Sequence, residues 1–271
     1  RLYLLCSLLG ARLRVFGGLD LFEADCRPFG ARDTGGFSTK NASVGHYNSL
    51  YIDSVVILFM IIAGINFSLH FQLLRGRPLA LWRDPEFRFY GSVILIFTLV
   101  STASVYREVY AGLGQAFRYS AFQVVSICTT TGYATADFEL WTPLTQSMLL
   151  FLMFLGGSAG STAGGMKCMR IMLLLKHSYR ELFRLIHPRA VVQIKLGRQI
   201  VHDQVLQSIW GYFILFLGLF VVAAFSLAAM GVDVLTSFAA VLACIGNIGP
   251  GLGAVGPSEN YAHLPAMGKW V

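Results

Sequence analysis

Apolar residues in this chain gather in long, nearly uninterrupted runs rather than in the narrow stripes of a water-soluble fold. A helix crossing the ~30 Å hydrocarbon core of a bilayer needs about 20 mostly apolar residues. Four stretches meet that need: 54–74, 89–106, 146–175 with a glycine-rich interruption, and 207–230. Between them lie two shorter segments, 114–128 and 232–244, each ending in a turn of Thr/Gly or Asn/Gly type. Neither is long enough to span. A short helix followed by irregular backbone at membrane depth is tolerated only where it is buried in protein or lines a water-filled cavity. Both segments therefore predict re-entrant helices.

The order span, short helix with turn, span recurs along the chain. One unit covers 89–175, another begins at 207 and lacks its last span, and an earlier one ends at 74 with its turn at Thr34-Gly35-Gly36-Phe37-Ser38-Thr39. Recurrence of one supersecondary unit is how many membrane transport proteins are built. The expected organisation is a partial repeat at 1–74, a loop at 75–88, a complete repeat at 89–175, a basic segment at 176–206 and an incomplete repeat at 207–271. The expected fold class is an all-α membrane protein of repeated units.

Composition strengthens this picture. Of 271 residues, 55% are hydrophobic and 13% charged, and the mean hydropathy is +0.62, far above soluble chains. The many Phe, Tyr and Trp side chains suit a lipid-facing surface with interfacial rings, although a large buried core also uses them. The net charge of +7 does not read as a nucleic-acid face, because the basic residues sit in short segments between apolar spans. Arg75 to Arg88 holds four of them and Lys176 to Arg198 holds six, which by the positive-inside rule makes both segments cytoplasmic. Arg107, Glu108, Asp137, Glu139 and Glu259 fall on the opposite side, so the turns face outward. The cysteines (Cys6, Cys26, Cys128, Cys168, Cys244) show no metal-ligand spacing and read as small buried hydrophobes. No signal-peptide pattern precedes the first apolar stretch, and no hydrophilic tail follows Val271, so further sequence is expected at both ends.

Three turns occupy equivalent places in the repeats: Thr34-Gly35-Gly36, Thr130-Thr131-Gly132 and Asn247-Ile248-Gly249, each with glycine third. A cation sheds its water only where oxygens replace the hydration shell, and backbone carbonyls aimed at one axis do this. Glycine permits such a backbone. Any one of these strings alone is equally a surface turn; their recurrence after short helices favours a filter. Helices ending at the turns would aim their C-terminal dipoles at it, which favours cations.

The stretch from Gly156 to Lys167, with Gly157, Gly160, Gly164 and Gly165 inside it, should break the third long run and leave a loop beneath the turns that blocks or opens the path. The competing reading is close helix packing through small residues. Lys167 either anchors that loop, repels cations, or snorkels to the cytoplasmic interface. Gly251-Leu252-Gly253-Ala254-Val255-Gly256 has the glycine spacing of a dinucleotide-binding turn without the preceding strand. The six histidines form no ligand pairs.

These motifs resemble the TrkH/KtrB family of potassium transport subunits. Thr34 to Asn41 resembles that family's second filter segment, Thr129 to Tyr133 its third and Gly246 to Gly251 its fourth, and Gly156 to Lys167 is similar to its intramembrane gating loop. The resemblance implies units of span, pore helix and span around a pseudo-fourfold pore, incomplete here, with potassium as the transported substrate held by the filter carbonyls. It implies no cofactor in this chain. It also implies a multi-pass protein of the bacterial inner membrane, a homodimer in the lipid bilayer, a cytoplasmic nucleotide-binding regulatory subunit (TrkA/KtrA-like) contacted through the Lys176 to Arg198 segment, and no nucleic-acid partner. The pore helix before the second filter departs from the pattern, since Asp25, Arg27, Pro28, Arg32 and Asp33 crowd it. Two other classes were weighed. A multi-pass enzyme acting on lipid or isoprenoid substrates calls for clustered acids or histidines at a span end, and a sodium-coupled symporter calls for broken spans around a midplane pocket.

Overall fold

The computed structural model describes residues 34, 36, 43–197 and 199–270. The segment before the second turn, from Cys6 through Asp33, and Gly35 and Phe37 to Asn41, lie outside the described residues.

Within them the chain is helical, apart from one small hairpin of β1 (Lys195–Leu196) and β2 (Gln199–Ile200). The predicted span 54–74 is a bent pair instead: α1 (Leu50–Ala63) and α2 (Phe67–Leu74) meet at 101°. The sequence carries the reason. Gly64 closes α1, and Asn66 starts α2 by accepting a hydrogen bond from the Ser68 amide at 2.9 Å. A scan for apolar runs passes over such a cap, because Ile65 and Phe67 around it are themselves apolar.

After the short α3 (Leu79–Arg83), the long α4 (Pro85–Val105) starts at Asp84, whose carboxylate caps the Phe87 amide. The re-entrant α5 (Leu113–Cys128) follows, then α6 (Pro143–Leu155), opened by Thr142 and Pro143. α7 (Cys168–Ile186) begins after the glycine-rich stretch and runs past Leu175, the predicted end of the span. Its continuation is amphipathic and basic rather than apolar, so hydropathy alone ended it early. α8 (Asp203–Ala229) and the short α9 (Val234–Ile245) complete the set.

Among the described residues, α4 and α8 are each long and apolar enough to cross a membrane, and the bent α1–α2 pair is a third candidate. α8 exposes Ile214, Leu215, Val222 and Phe225, large apolar side chains that a lipid surface accommodates and water does not. The second half of α5, from Phe122 to Cys128, is by contrast buried throughout, packed against Ile52, Val56 and Met60 of α1 and against the core around Leu149 and Met153. This protein-lined environment is what a helix too short to span requires.

The two basic segments share one end of the bundle, where Arg77 and Arg83 line the same cavity of about 890 Å³ as Leu196, Gly197 and Gln199. At the other end, the segments after the second and third described turns meet, with the Ser258 hydroxyl donating to Asp137 Oδ2 at 3.1 Å.

Candidate functional site

α5 and α9 end alike. The Thr130 amide donates to Ile127 O at 3.0 Å and the Thr131 amide to Ser126 O at 2.9 Å; the Asn247 amide donates to Cys244 O at 3.1 Å and the Ile248 amide to Ala243 O at 2.8 Å. This pair of bonds is the Schellman closure, which needs a left-handed residue just past the helix. Thr130 (φ 56°) and Asn247 (φ 55°) supply it, and Thr34 matches them at φ 49°. Two residues on, Gly36, Gly132 and Gly249 are also at positive φ. The sequence pointed to the third-place glycines; it gave no sign that the first place is left-handed too, because Thr is β-branched and rarely adopts that conformation. Such strain persists where the surroundings over-determine it.

The turns lie against one another in chain order. A Cβ on Gly36 would fall on the carbonyl oxygen of Thr131, and one on Gly132 on the carbonyl oxygen of Ile248. Glycine at these two positions is therefore a condition of the approach. Thr34, Thr129, Thr130, Thr131 and Tyr133 are buried, and the Ser126 hydroxyl donates to Tyr133 O at 2.6 Å. The fourth-repeat turn is held by a residue that sequence reasoning missed: the Tyr261 hydroxyl donates to Gly249 O at 2.6 Å. Burial raises that phenol above its ordinary pKa, so it stays a donor. Nothing in the string around Tyr261 reveals this pairing.

The chain from Gly156 to Lys167 is irregular and sits against all three turns. The Thr34 hydroxyl donates to Thr162 O at 3.0 Å, and the Gly164 amide donates to Thr130 Oγ1 at 2.6 Å. A Cβ on Gly164 would fall on Gly246 O and lie 3.2 Å from the Asn247 Cβ. Gly156, Gly160, Gly165 and Lys167 take positive φ. The loop's first half rests on the bend between α1 and α2, where the Ser158 amide donates to Gly64 O at 2.9 Å and the Phe67 amide to Gly160 O at 3.1 Å. Gly157 packs on the same Gly64 carbonyl. Lys167 bonds back onto the loop, its ammonium donating to Ser161 O and Ala163 O.

A family model described as "Cation transport protein", TrkH, matches residues 9–271. The chain is 40% identical over 276 aligned residues to the Trk system potassium uptake protein TrkH of Salmonella typhimurium, covering 100% of this chain and 56% of the relative. It is 36% identical over 261 residues to the Trk system potassium uptake protein TrkG of Escherichia coli, covering 95% and 54%. The crystal structure of the potassium transporter TrkH from Vibrio parahaemolyticus superposes with a TM-score of 0.93 at 38% identity, over 99% of this chain and 58% of that one. The chain spans about half the length of the curated relatives it matches. With a family model matched over nearly its whole length, and with helices and turns that superpose on a solved relative, the chain belongs to the TrkH family of cation transport proteins.

Proposed function

We propose that this chain is the larger part of a potassium uptake subunit, with Thr34, Gly35, Gly36, Thr130, Thr131, Gly132, Asn247, Ile248 and Gly249 as filter walls and the loop of Gly156, Gly157, Gly160, Gly164, Gly165 and Lys167 as gate. One observation carries the reading: residues 162–164 touch Thr34, Thr130 and the Gly246–Asn247 peptide together. A loop hydrogen-bonded to two turns and packed on the third cannot move without changing what lies at their inner mouth. Lys167 acts inside it as a tethered cation, occupying carbonyls that would otherwise face a passing ion.

The whole subunit is a multi-pass protein of the bacterial inner membrane, paired as a homodimer and regulated by a cytoplasmic nucleotide-binding partner that contacts the Lys176 to Arg198 segment. The relatives' names, all of potassium uptake in a Trk system, support the substrate. The bent α1–α2 pair is a broken span of the kind the symporter reading calls for, but its bend packs on the glycine-rich loop through Gly64 O and Gly160 O; the lipid-enzyme reading gains no observation. The deciding experiment is rubidium flux into proteoliposomes holding the complete chain. Removing residues 160–164 should raise basal flux; unchanged flux rejects the loop as gate, and a bulky replacement at Gly132 without effect rejects the filter.

A further inference from the structure

Glu86 stands in the first turn of α4 and is 6% exposed. Its position is fixed on both sides: Pro85 opens the helix, and the Asp84 carboxylate caps the Phe87 amide at 2.8 Å. One oxygen, Glu86 Oε1, accepts from the Ala159 amide at 2.5 Å and from the Met169 amide at 3.2 Å. Ala159 lies in the first half of the glycine-rich loop. Met169 lies in the first turn of α7, on the far side of the loop.

α7 lacks a cap of its own, since its N-cap residue is Lys167, which makes no capping bond with its side chain. A helix start leaves amides without partners and carries positive dipole charge, so a carboxylate is the favoured group there. α4 provides it from 83 residues earlier in the chain. The same oxygen then ties the loop's entry to the helix after its exit. The Lys167 ammonium supplies opposite charge nearby, and the cavity of about 890 Å³ at the basic end of the bundle reaches Glu86 and Met169. The carboxylate thus stands between a cavity that opens toward the basic face and the loop beneath the turns.

We infer that Glu86 is a positioning residue that latches the loop in its blocking place, an inference that rests on reading the loop as the gate. For the loop to move away, the Ala159 bond must break while the Met169 bond keeps α7 capped, so one residue separates the moving part from the fixed part. Among the described residues, no filter residue is hydrogen-bonded to Glu86, so ion selectivity should not depend on it.

The test uses the full-length protein in proteoliposomes, with hydrogen exchange read by mass spectrometry over residues 157–170 and rubidium flux read in parallel. Glu86→Ala removes the acceptor, and we expect exchange of that segment to quicken more than about tenfold, with raised basal flux and an unaltered potassium-to-sodium ratio. Glu86→Gln keeps an oxygen acceptor in place without the charge, and should restore most of the slow exchange and most of the low flux; it also serves if the alanine variant fails to assemble. Unchanged exchange in Glu86→Ala overturns the latch. Faster exchange with unchanged flux overturns the gate reading instead. A shifted potassium-to-sodium ratio overturns the separation of Glu86 from the filter.

Discussion

The turns at Thr130 and Asn247 share a backbone and differ in what holds it. At Thr130 the support is local: Thr129, Thr130, Thr131 and Tyr133 are buried, the Thr129 and Thr131 hydroxyls lie 2.8 Å apart, and Ser126 holds Tyr133 O. At Asn247 the side chain is exposed, Gly249 is exposed, and the hold comes from Tyr261, outside the turn. A Cβ on Gly132 meets the Ile248 carbonyl of the next described turn. The residue types follow. Asn adopts the left-handed region with little help, so its turn needs few props; Thr does not, so its turn is caged. One backbone requirement was met once by residue choice and once by surroundings.

The largest test of this difference compares the two glycines. Gly132→Ala combines positive φ with overlap on Ile248 O and should cost more than about 3 kcal/mol, abolishing rubidium flux. Gly249→Ala carries φ strain of about 1–3 kcal/mol and, on the contacts this chain makes by itself, should lower flux less. Equal losses would erase the distinction.

Next is Ser126→Ala, which removes the hydroxyl that donates to the buried Tyr133 carbonyl, at about 1–1.5 kcal/mol. Thermal unfolding of the detergent-solubilised protein should fall, together with potassium selectivity. Tyr261→Phe removes the outer prop of the fourth-repeat turn for about 0.5–1.5 kcal/mol, and selectivity should weaken with less loss of stability than in Ser126→Ala. If the serine variant proves the milder of the two, the local cage is not what holds the third-repeat turn.

The smallest effect lies where the two post-turn segments touch. Burial raises the Glu139 carboxyl above its ordinary value, helped by Asp137, where it packs against Gly256. A raised folded-state pKa favours the protonated form, so this contribution is full below the ordinary carboxylate range and is lost as pH rises through the raised value. Melting temperatures across mildly acidic pH should show a slight fall in the wild type that Glu139→Gln lacks.

Much of the site was readable as strings. Gly36, Gly132 and Gly249 marked three turns because each follows a short segment between apolar runs, and the Gly156–Lys167 stretch declared itself by interrupting one. Glu86 and Tyr261 gave no such sign, since each is an ordinary residue whose partner lies on another part of the chain. The bend at Gly64–Asn66 was hidden by hydropathy, which counts apolar side chains and ignores caps.

The sequence by itself determined the membrane class, the recurring unit and the three glycines, because periodicity, hydropathy and positive-φ tolerance are local properties carried by neighbouring residues. Only the tertiary structure decided that Thr131 O faces Gly36 and Ile248 O faces Gly132, that Gly164 wedges between Thr130 and Gly246, and that Glu86 pins both ends of the loop. Those contacts join residues up to 116 positions apart, as from Gly132 to Ile248, and no local rule sets such a distance.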